Sequence, residues 1–144
     1  MSLVFAGLIV DLYPRWTGRE LARPGSARPI FWLMTFGAIG AVLGPWLAVN
    51  YITALGIVIH QIATVWLLVN MMKPLRGTAI ARTPGIWHVI TAYVWQVAVV
   101  LGAPLIALLY PGFSPAAVEQ TAPQVLIYGW MLQFGYAVIP YVLQ

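Results

Sequence analysis

Cysteine is absent from this chain, which removes disulfides, thiolate metal sites and cysteine nucleophiles. Charge is scarce: 7% of residues carry it, against about 25% in soluble domains. Three residues are acidic and two are histidine, too few for paired carboxylates or a histidine-rich metal cluster. No phosphate-binding glycine loop, HExxH sequence or serine-triad spacing occurs. A complete catalytic or metal site is therefore not expected here, and no catalytic or metal-ligating residue is assigned. The basic n-region of a signal peptide is missing, and Asp11 interrupts the first apolar stretch.

What is present is apolar: 62% of the 144 residues are hydrophobic, more than a soluble core of this size can hide. The runs are continuous rather than alternating, which favours helices over strands. The reading is an all-α, polytopic transmembrane bundle of about five segments, at 29–49, 52–72, 87–109, 124–142 and a short one at 2–13. A span takes about 20 helical residues, and the first segment reaches only about 18–20 Å. Residues 1–144 read as one helical domain. The short first segment, and a last segment that stops without flanking basic residues, suggest part of a larger membrane assembly, so the expected partners are lipid and other membrane subunits.

The net charge of +4 does not imply a nucleic-acid partner, because all seven basic residues fall in two loops. Arg15, Arg19, Arg23 and Arg28 precede the second segment, and Lys73, Arg76 and Arg82 follow the third. The loop at 110–123 holds only Glu119. Positively charged loops stay on the cytoplasmic side, so loops 14–28 and 73–86 are expected there and the amino terminus outside. Gly37, Gly40 and Gly44 mark one helix face for close approach to a neighbour.

A polar residue inside a bilayer invites a functional reading because its burial is costly. His60 shares a helical stripe with Thr53, Gly56 and Thr64, and Gln96 and Gln133 sit near the centres of their segments. Together they suggest a midplane polar layer that binds a cofactor as haem ligand, proton relay or quinone hydrogen-bond partner. The same residues also read as interhelical polar glue, worth about 0.6–2 kcal/mol per bond, or as the substrate-facing layer of a small transporter or channel. His88, on a face with Thr91, Trp95 and Ala98, lies nearer a segment end and is a further cofactor-binding candidate. Asp11 and Arg15 are one turn apart and positioned to pair.

One longer pattern resembles a known family. An apolar helix leads to Tyr13-Pro14-Arg15, then Gly18-Arg19-Glu20-Leu21 and a short basic loop, and Phe31-Trp32-Leu33 starts the next helix. This is similar to the late-helix region of subunit I of haem-copper oxidases, closest to the C-type branch and nitric-oxide reductases. The continuation ALGIVIHQIATVWLLVNMMKPLRG resembles the following helix with its basic exit, so the likeness covers about residues 8–77. It implies an oxidoreductase complex of a respiratory electron-transport chain, in the inner membrane of a bacterium, with haem carried by the complex. The family's metal-binding histidines belong on helices that would precede residue 1, so the resemblance carries no ligand role onto His60 and implies a structural role for this chain.

Overall fold

The structure, a computed structural model, describes residues 2–79, 84–109, 120–121 and 123–142. Arg82 and Glu119 lie outside the described residues. The protein is all-α, with no strand among the described residues. Its helices are α1 (Ser2–Thr17), α2 (Ala27–Trp46), α3 (Asn50–Met72), α4 (Pro84–Leu109) and α5 (Leu132–Val142), the last entered through a π-helical stretch, Leu126–Met131. Among the described residues, Pro24–Trp46, Asn50–Leu75 and Pro84–Gly102 are long and apolar enough to cross a membrane. That is compatible with an integral membrane protein.

Contacts gather into two compact units, Met1–Thr78 and Ala79–Gln144, where the sequence reads as one domain. In the first, α2 and α3 form a hairpin closed backbone to backbone. A Cβ added at Gly37 would stand 2.6 Å from the His60 amide nitrogen and 2.8 Å from the Gly56 carbonyl oxygen. Gly40 faces the Gly56 Cα at 3.1 Å, and Gly44 sits against Thr53. The glycine stripe expected from sequence therefore has its partner inside the chain. Bulkier residues of α2 turn outward: Trp32, Phe36, Val42 and Trp46 are all exposed, as a lipid-facing surface requires.

The hairpin turns through Leu47–Val49, which ends α2 short of the expected position 49. Ala48 takes the left-handed conformation at φ 54°, and the Val49 amide donates to the Gly44 carbonyl. The sequence reading also ended the first segment at Tyr13, yet α1 continues to Thr17. Pro14 removes one hydrogen bond near the last turn, where the loss is cheap. Gly18, at φ 63°, closes the helix by donating its amide to the Pro14 carbonyl, a glycine cap. Ala6, Ile9 and Tyr13 form the buried stripe of α1. In the second unit Pro84 opens α4, where its fixed φ suits a first helical turn.

Candidate functional site

In the first unit the basic loop and the end of α3 are joined by hydrogen bonds. The Tyr13 hydroxyl, fully buried, donates to the Met71 carbonyl at 2.7 Å. The Arg19 guanidinium donates to the Pro74 carbonyl at 3.2 Å. Asn70, buried at 3% exposure, holds the centre: its carbonyl accepts the Ala22 amide at 3.1 Å, and its side chain donates to the Arg23 carbonyl at 3.3 Å and to the Ser26 hydroxyl. Thr17 and Ser26 tighten the loop from within, through Thr17 to the Tyr13 carbonyl at 2.7 Å and Ser26 to the Arg23 carbonyl at 2.6 Å. Asp11 and Arg15 pair at 3.3 Å, one turn apart as expected, with both side chains well exposed.

His60 is also bonded in this unit. A carbonyl only accepts, so in the contact of His60 with the Met34 oxygen at 3.0 Å the Nδ1–H donates. The bond ties α3 to α2 just beyond the glycine contacts. The apolar cleft beside Met34 is about 200 Å³, below the ~300 Å³ at which ligand pockets begin, and His60 is not among its lining residues. A porphyrin does not fit it. The described residues also hold no group of three or more His, Asp or Glu able to bind a metal ion. Gln61, the neighbour of His60, is buried with neither amide atom bonded to another described residue.

The second unit contains the other three candidates. Gln96 is buried on α4. His88 and Gln133, expected at different depths, meet: His88 Nδ1 donates to Gln133 Oε1 at 2.6 Å. The Tyr136 ring lies 5.8 Å from the imidazole, centroid to centroid. Gln133 is therefore engaged with His88 of the facing helix, and it also borders a cleft shared with Trp95, the neighbour of Gln96. His60 belongs to the other unit.

Beside Gln133 the π-helical stretch opens a cleft of about 390 Å³, lined by Trp95, Gln124, Val125, Tyr128, Gly129 and Gln133. The Trp95 indole lies directly on Gly129, where an added Cβ would stand 2.8 Å from the ring. Sequence reading missed Asn70 as the centre of the basic loop, and Gln124 and Tyr128 as cleft residues. The one available signal was Gly129 between aromatic residues in an otherwise bulky run.

Set against protein-family models, curated proteins and solved structures, the chain returns no match.

Proposed function

We propose that this chain is a helix-packing subunit, or carboxyl-side portion, of a haem-copper-oxidase-like respiratory complex in a bacterial inner membrane. One observation carries the reading. The residues of the resemblance lie far apart in sequence, in Tyr13–Arg19 and in Asn70–Pro74, yet Tyr13 bonds Met71 and Arg19 bonds Pro74. The resemblance, over about 8–77, also ends where the first compact unit ends, at Thr78. Both facts support treating the stretch as one inherited structural piece rather than a run of similar apolar helices.

In this reading haem belongs to neighbouring subunits. His60 serves as an interhelical tether, a role its bond to the Met34 carbonyl supports. The basic loops face the cytoplasm and the amino terminus faces outside, which the clustering of the arginines supports.

The test is purification of the tagged chain from its native membrane in mild detergent, followed by a native gel and a pyridine haemochrome spectrum. Co-migration with a haem-containing membrane subunit is expected. A stable monomer with no partner band and no haem overturns the proposal.

A further inference from the structure

The cleft beside the π-helical stretch is built entirely within the second unit and is independent of the oxidase-like reading of residues 8–77. Its composition narrows what it would accept. None of its six lining residues is charged, so it offers no ion pair to a phosphate headgroup or a cation. Trp95 and Tyr128 supply flat aromatic surface, and both remain exposed at 42% and 68%. Gln124 and Gln133 supply amides. The volume, about 390 Å³, lies within the range of small-molecule sites.

The hydrogen-bond polarity follows from Gln133 Oε1 facing His88 Nδ1. His88 Nδ1–H occupies the Gln133 oxygen, so the edge of that amide left for a ligand is its N–H2 edge, a donor. A matching ligand presents an acceptor oxygen on a flat, uncharged ring. The cleft lies beside α4, an apolar helix long enough to cross a membrane, so the ligand must also dissolve in lipid. The π winding is the local device that makes room, and such interruptions occur often at functional sites. Trp95 can lie flat there because residue 129 has no side chain to lift it away.

We infer that this cleft binds a lipid-soluble quinone, with the Gln133 amide N–H, oriented by His88, donating to one ring carbonyl and Trp95 packing against the ring. Gln133 is the binding residue and His88 the positioning residue. A bare lipid tail is the competing occupant, since it too would fill an uncharged cleft.

The test uses the full chain in lipid nanodiscs and a benzoquinone carrying a ten-carbon tail, with the ten-carbon alcohol as tail-only competitor. Saturable quenching of tryptophan fluorescence is expected, with affinity falling at least tenfold in Gln133→Leu and several-fold in Gln124→Leu, an exposed position whose change leaves the helices intact. The infrared band of one quinone carbonyl is expected to move to lower frequency on binding, to return in Gln133→Leu, and to shift less in His88→Phe. Equal affinity in all variants overturns the inference, as does full competition by the alcohol, which identifies a tail-only cleft. Neither result bears on whether the chain co-purifies with a haem subunit.

Discussion

Tyr13 reaches across 58 residues of sequence to donate its hydroxyl to the Met71 carbonyl at 2.7 Å. Both ends of that bond are buried, and Met71 closes α3 while Tyr13 lies in the last turn of α1. Tyr13→Phe removes this buried hydrogen bond at a cost of about 0.5–1.5 kcal/mol. The expected result is a lower melting temperature in detergent with helical content unchanged. An unaltered melting curve counts against this bond as a fastening of the first unit.

The glycines separate into two groups that substitution by alanine tells apart. At Gly37 an added Cβ meets α3 backbone, which cannot give way as a flexible side chain does. Gly37→Ala is expected to destabilise the hairpin by about 1–3 kcal/mol, as overpacking does. At Gly7 nothing lies within 4 Å. There the helix-forming advantage of alanine, about 1 kcal/mol, is expected to appear as a gain. Thermal denaturation of both variants in one detergent checks the contrast, and a like-signed pair of shifts refutes it.

Ala48 sits at φ 54°, a conformation glycine adopts without the clash of a Cβ. Ala48→Gly is expected to raise stability by a few tenths to about 1 kcal/mol. Comparison with Leu47→Gly, at a helical backbone position of the same turn, shows whether the gain comes from relief of that conformation or from loosening the turn.

Absence of cysteine makes orientation directly measurable. Single cysteines at Gly25 and at Leu47 lie at opposite ends of α2. With the amino terminus outside, a membrane-impermeant thiol reagent labels Leu47→Cys in intact cells and Gly25→Cys only after permeabilisation. The reverse pattern inverts the proposed topology.

Much of the architecture was legible because membranes impose long apolar runs, and the α2 glycines announced a close neighbour. The extension of α1 through Pro14 was not, because a proline near a helix end is compatible with either stopping or continuing, and the Gly18 cap decides. Asn70 reads from the sequence only as a polar residue near a segment end; the fold brings it to Arg23 and Ser26. The pairing of His88 with Gln133 depends on the register between two helices, which hydrophobic periodicity within each does not encode. The π stretch was likewise hidden, since its composition is that of any apolar helix.

Because α2 and α3 touch through main chain over Gly37, Gly40 and Gly56, neither has room to slide past the other. A thinner or thicker bilayer therefore meets a paired strut, which answers a mismatch by leaning as one body. The lean would swing both ends of the strut together, carrying the arginine-bearing loop fastened through Asn70 with it.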